Sequence, residues 1–389
     1  MNTQPCARLS RRLDLDWIRI GAFSLLILYH AGMLYVPWAF HVKSAHAGPG
    51  LEPLMLALNP WRLGLLFLIS GVASRFMLQK VSAGGFARQR STRLLIPLVF
   101  GMLVVVPPQS YFEAAEKYGF SGGFPDFYFG EYLGWMHLYR TPAGAPTGLI
   151  LPTWNHLWFV AYLWIYTLLA AALACSPRAL EGVERFVDRH ATPVRLLLLP
   201  ALLLCAYRLF LFPHFPLTRD MFRDWYGHAL YGTMFVAGFL IARSVVTWDA
   251  IEHLRWPALL VAVAGYVTFL TLSGSQNAAL TIMRTTGYCT NAWCMTLAIL
   301  GFGRRWLSTA DGPARRYLTD AIFPYYIVHQ TALVVLAVWL RPLALPALSE
   351  FLLVMLGTVA CCALTYEIVR RVAWLRAPFG LRRERASYT

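Results

Sequence analysis

The stretch DWIRIGAFSLLILYHAG (residues 16–32) decides the class of this protein. It is an apolar run of membrane-spanning length, yet it carries Asp16 and Arg19 at one end and His30 further along. Ionisable groups inside a bilayer are costly and must face a protein interior or a wet cavity. Arg19 and His30 lie 11 positions apart. Eleven helical steps of ~100° make about three turns, so the two side chains share one face, about 16 Å apart along the axis. Asp16 falls on the same stripe, and Ile, Leu and Phe fill the rest. The spacing predicts a helix with one polar edge turned inward and His30 near the bilayer midplane.

Working outward, the same reading repeats along the chain. The 389 residues are 58% hydrophobic and 14% charged, with a mean hydropathy of +0.52; soluble domains carry about 25% charged residues. Apolar runs of roughly 20 residues, the length that crosses a bilayer, fall near 17–38, 58–78, 94–110, 154–175, 194–212, 228–246, 256–273, 279–302, 320–340 and 347–370. The expected fold is all-α and polytopic, with about ten transmembrane helices. Strands are not expected, because the runs are continuous and lack a barrel's alternation. No internal repeat, low-complexity tract or soluble domain interrupts them, so residues 1–389 read as one unit with a basic tail at 372–389. A cleaved signal peptide is the rival reading of the N-terminus, but its first apolar run exceeds the 7–15 residues of a signal core.

The net charge of +15 invites a nucleic-acid reading, and its distribution argues against one. Of the 34 Lys and Arg, all but Lys43, Arg62, Lys117, Arg140, Arg208, Arg219, Arg223, Arg284 and Arg341 fall on one side of the predicted spans. This is the positive-inside pattern, and it puts both termini in the cytoplasm. The partners implied are membrane lipids, not nucleic acid. The seven cysteines form no CxxC pair and mostly sit in spans, so neither a metal site nor a disulfide framework is expected. The longest loop, about 111–153, faces outward. Its aromatic PDFYFGEYLGWMHLYR suits an interfacial helix or a lid.

Polar residues recur inside other spans. NPWRLGLLFLISGVASRF places Arg62 at its outer end, with Ser70, Gly71 and Ser74 deeper, where small residues serve helix packing. Arg284, Tyr288 and Asn291 make a stripe on the eighth span. His156 opens the fourth, either at the site or as an interfacial anchor beside Trp154 and Trp158. His329 lies in the ninth span. Glu367 ends the tenth, either at the site or paired with Arg370 or Arg371. The loop SRFMLQKVSAGGFARQRSTRLLIP carries Arg88, Arg90 and Arg93, whose guanidinium forks suit the phosphates of a cytoplasmic ligand or lipid headgroups.

Taken in order, these motifs resemble the integral-membrane acyltransferase-3 family, and within it the glucan biosynthesis protein C group. The family's Arg-x10-His falls on Arg19 and His30, and its Arg-x-x-Arg on Arg90 and Arg93. FHVKSA, with His41, WRLGLLFLISG, HLWF, YYIVH and YEI follow the group's pattern. One departure stands out: Gln330 replaces a second histidine beside His329. The resemblance implies acyl transfer from cytoplasmic acyl-CoA, succinyl-CoA or acetyl-CoA, to sugar hydroxyls of a periplasmic glucan or other envelope glycan, in a bacterial inner membrane. Acyl-CoA is then a co-substrate, with no permanently bound cofactor. His30 acts as general base or as acyl carrier, with Arg19 and Asp16 completing the catalytic set. Arg90, Arg93, Arg88 and Glu367 fall to the donor. Arg62, His41, Arg284, Tyr288, Asn291, His156 and His329 fall to the acceptor or acyl group. A transporter or flippase for a glycan or small anion is the competing reading of the same buried polar groups, and a structural membrane subunit a third.

Overall fold

A computed structural model describes residues 11–134 and 137–382. Cys6, Arg8 and the end of the basic tail lie outside the described residues. Helix α1 (Leu13–Gly32) leads through a long loop to α2 (Glu52–Leu58) and α3 (Arg62–Leu78). Ser82 accepts from the Gly85 N–H to start α4 (Ala83–Phe100). A π-helical turn at Gly101–Val105 follows, and the chain bends by 42° into α5 (Pro107–Tyr118), where Pro107 fits the first helical turn. The chain continues through the short α6 (Phe124–Asp126) to a hairpin of β1 (His137–Arg140) and β2 (Pro146–Leu151).

The long helices resume with α7 (Trp158–Ala174), α8 (Pro177–His190), α9 (Pro193–Ala206) and α10 (Trp225–Ile241). Helix α11 (Val245–His253) turns off α10 by 114°. Then come α12 (Arg255–Thr271), α13 (Ala278–Leu307), α14 (Pro313–Leu340), α15 (Ala347–Arg371) and the short α16 (Ala373–Arg376). A helix occupies each of the ten expected runs. By length and apolar composition, five helical segments are able to cross a bilayer, or seven if each bent pair is one span. Helices α1 and α13 are long enough, but their polar residues dilute their apolar character.

Two expectations change. The antiparallel hairpin β1–β2, with Leu138 opposite Ile150, puts strands where none were expected. Its β2 alternates exposed and buried along PTGLIL, a pattern too short for a search tuned to runs of membrane length. It closes over a small aromatic core with Phe127, Tyr132 and Tyr139. Helix α1 also stops at Gly32, not near residue 38. Pro37 disfavours helical geometry at Val36, so the run cannot continue. The chain beyond α1 stays inside the protein: Leu34, Val36 and Val42 are fully buried. Lys43 ties this loop by donating to the Met33 and Val36 carbonyls, each at 2.6 Å.

Burial, with Lys117 nearby and despite Glu116, lowers the Lys43 ammonium to about 8. A lysine titrating below its ordinary value is uncharged over a wider range, so Lys43 is expected to be acylated by small amine-reactive reagents from about pH 8 upward. Peptide mapping across a pH series reads this; labelling of Lys43 that begins only well above about pH 9 would remove the assignment.

Two features place the functional residues. First, α1 and α14 run side by side in the same direction. Trp17 Nε1 donates to the Ala310 carbonyl at 2.7 Å, Arg19 meets the Thr319 carbonyl at 3.5 Å, and His30 meets His329. Second, α3 and α10 touch backbone to backbone: a Cβ on Gly71 would strike the Phe235 carbonyl, and one on Gly238 the Leu68 carbonyl.

Candidate functional site

His30 occupies the last turn of α1 and His329 the middle of α14. Their ring planes lie within 7° of one another, and His30 Nδ1 approaches His329 Nε2 at 2.8 Å. The surrounding acceptors fix the tautomers. His329 Nδ1 faces the Tyr326 carbonyl at 2.8 Å and must be its proton-bearing nitrogen. His329 Nε2 is then an acceptor, so His30 Nδ1 donates to it. The lone pair of His30 therefore lies on Nε2, which takes no hydrogen-bond partner among the described residues. His156 packs edge-on against His329, centroids 5.1 Å apart. Its Nε2 faces the Tyr326 and Ile327 carbonyls at 3.1 Å and carries its proton there. The geometry is that of hydrogen bonding: among the described residues no group of three or more His, Cys, Asp or Glu is arranged to hold a metal ion.

A polar chain leads outward from this trio. Gln109 Nε2 donates to Thr331 Oγ1 at 2.6 Å and faces His156 Nδ1 at 3.5 Å. Gln330 Nε2 donates both to Gln109 Oε1 at 3.0 Å and to His41 Nε2 at 2.8 Å. His41 Nδ1 in turn donates to Glu113 at 2.6 Å, and Lys117 meets the same carboxylate at 2.7 Å. An amide has two N–H donors on one nitrogen, whereas a histidine ring has at most one on each. Glutamine at 330 thus joins His41 and Gln109 as no imidazole can. Gln109 and Glu113 escaped the sequence reading because the π-turn and the prolines at 107 and 108 redirect the chain, and no periodicity carries across that bend.

At the other end of α1, Arg19, Arg90 and Arg93 come within electrostatic reach of one another. Arg19 Nε and Arg90 Nε are buried without a partner. Asp320 acts on Arg19 and Arg93. Asp16, on the same stripe as Arg19, has Arg315 and Arg11 as its close partners, each at 2.6 Å, with Arg19 at 3.9 Å. Hydrogen bonds from Arg316, Arg315 and the Gly312 N–H hold the Asp311 carboxyl well below its ordinary range. This ion network pins the start of α1 to the α13–α14 turn.

A cavity of about 260 Å³ lies between the two levels, with His329 in its wall and neither His30 nor the arginines lining it. It starts at Ile20 and Leu318, next to Arg19 and Thr319, and reaches His329 by way of Phe23, Ser24 and Tyr325. Its walls are mainly apolar.

Arg62 is 2% exposed and lies over the Tyr29 ring at 3.6 Å, with Nε and Nη1 unpartnered. The other expected residues do not join these groups. Asn291 Nδ2 donates to the Ala262 carbonyl at 2.9 Å and serves α12–α13 packing, Tyr288 packs on Phe269, and Arg284 makes no hydrogen bond or ion pair among the described residues. Glu367 binds Tyr317, Arg370 and Arg371, and Arg88 is exposed.

Among the curated proteins and the solved structures, none matches this chain. A family model for an acyltransferase domain matches residues 12–367, which spans α1 to near the end of α15 and takes in the histidine trio, the arginine cluster and the cavity between them. The chain therefore belongs to the acyltransferase-3 family, and it is a membrane acyltransferase.

Proposed function

We propose that this protein takes an acyl group, succinyl in the leading reading and acetyl in the second, from cytoplasmic acyl-CoA and transfers it to sugar hydroxyls of a periplasmic glucan or other envelope glycan. The ten helical runs then all span the inner membrane, with both termini cytoplasmic. The observation that carries this reading is the cavity that runs from the Arg19 level to His329. CoA phosphates suit the cluster of Arg19, Arg90 and Arg93. The apolar cavity suits the acyl thioester arm, and His329, which holds His30, stands at its far end.

In the reaction, the acceptor oxygen attacks the thioester carbonyl carbon and the carbon–sulfur bond breaks. His30 Nε2 takes the hydroxyl proton, and the departing thiolate receives it. His329 orients His30 through Nδ1, as the third member of a catalytic triad does, but without a carboxylate. The alternative sequence places the acyl group on His30 Nε2 before the acceptor arrives. Arg62 stabilises the oxyanion or holds an acyl carboxylate.

Purified protein in vesicles, given radiolabelled succinyl-CoA or acetyl-CoA and a neutral glucan, tests this. Transfer of label to glucan, or release of CoA, is expected; label-free glucan with intact acyl-CoA would overturn it. Ser24→Phe adds a ring at the cavity wall between the Arg19 level and His329. It is expected to raise KM for acyl-CoA at least about 10-fold, the equivalent of ~1.4 kcal/mol, with little change in KM for glucan. An unchanged donor KM would remove the cavity from the donor route.

A further inference from the structure

Arg219 was placed by the sequence only on the outer side. In the structure it sits at φ +60°, in the left-handed region that costs a branched-out side chain energy. The turn that holds it there is fixed by Asp224, fully buried, which accepts from the Arg219 N–H at 2.9 Å, the Tyr162 hydroxyl at 2.8 Å and the Gly227 N–H at 2.9 Å. Strain that the surroundings impose in this way marks a side chain whose direction matters. The guanidinium of Arg219 lies 5.9 Å from the Trp158 ring centroid and makes no hydrogen bond or ion pair among the described residues. Its charge acts on Tyr29, His30, Arg62 and Tyr231 together.

Two guanidinium groups therefore act on His30, while the carboxylate beside them, Asp224, is already taken up by the Arg219 N–H, Tyr162 and Gly227. Arg62 is buried with two unpartnered nitrogens, and Arg219 is open to the outer side. Burying a cation without a counter-charge is expensive, and a ligand carboxylate would supply both the charge and the missing acceptors. A phosphate of the donor is excluded by place: the arginine cluster suited to it lies at the opposite end of α1.

We propose that Arg62 and Arg219 form a two-armed carboxylate site next to His30, with Arg219 the specificity-determining arm. This rests on the acyl-transfer reading above and names the charged group its substrates carry there. That carboxylate comes either from the far end of a dicarboxylic acyl group or from an acidic sugar of the acceptor.

The test uses Arg219→Gly, which relieves the backbone and removes the guanidinium, and Arg219→Lys, which keeps the charge. Succinyl-CoA is compared with butyryl-CoA on a neutral glucan, and a neutral glucan with a uronate-containing one using acetyl-CoA. Loss of one charge-assisted contact is expected to lower kcat/KM about 10-fold or more for the carboxylate-bearing partner alone. Arg219→Lys should restore part of it. Loss confined to succinyl-CoA assigns the acyl group, and loss confined to the uronate assigns the acceptor. An equal loss on all four, or none, overturns the site.

Binding separates this from the acyl-transfer reading. By equilibrium dialysis of the full protein, monomethyl succinate is expected to bind, about 10-fold more weakly to Arg219→Gly, and neutral dimethyl succinate is not. If no acyl-CoA turns over but that pattern holds, the carboxylate site stands and the reaction assignment falls. If the mono- and diesters bind alike, the site falls whatever the turnover.

Discussion

Replacing His30 with alanine is expected to lower acyl transfer at least about 100-fold, the lower end of what a positioned general base contributes, while the protein keeps its detergent-solubilised size and thermal midpoint. The reason is the direction of one lone pair. His329 is committed to the Tyr326 carbonyl through Nδ1, so it accepts from His30 Nδ1 and leaves His30 Nε2 as the basic atom. His329→Phe removes that acceptor and frees His30 to adopt the other tautomer, so a large loss is expected there too. Because both act through one proton path, the double variant should lose little more than the worse single one. Acyl transfer within a few-fold of the parent in His30→Ala would end His30's catalytic assignment.

The second large effect is on folding. Gly238→Val is expected to destabilise the protein by at least about 1–3 kcal/mol, the usual cost of overpacking, and to shift most of it to aggregate in size-exclusion chromatography. A Cβ at 238 meets the Leu68 backbone carbonyl, and one at 71 meets that of Phe235. A backbone atom in a helix cannot rotate aside as a side chain can, so α3 and α10 would have to separate. Gly71→Val should behave alike. Gly21→Ala on α1 is the control: nothing lies within 4 Å of its Cβ, so a gain of roughly 0.5–1 kcal/mol is expected from helix propensity. If Gly238→Val elutes and melts as the parent does, these helices are not held by close backbone approach.

Much of the architecture was legible because the bilayer imposes a length. An apolar run that must satisfy its own backbone hydrogen bonds in lipid becomes a helix, and helices appear at all ten such runs. Helical period likewise put Asp16, Arg19 and His30 on one edge. The sequence was blind where the chain departs from regularity. It did not reveal the stop at Gly32, the bend that brings Gln109 to His156, or the hairpin over the outer aromatic core. It also could not choose Asp16's partner, because Arg315 lies 299 residues away.

What the amino-acid sequence determined by itself is the membrane class, the helical content, the polar face of α1 and the basic segment around Arg90. Each follows from composition or from a local period. Only the tertiary structure decided that α1 runs parallel to α14, so that Arg19 meets Thr319 and His30 meets His329, with a cavity between the two levels. Only it decided which histidine nitrogen is free, and that Arg62 lies over Tyr29 and Arg219 over Trp158. Those are contacts between residues hundreds of positions apart, set by how helices pack, and no local pattern encodes them.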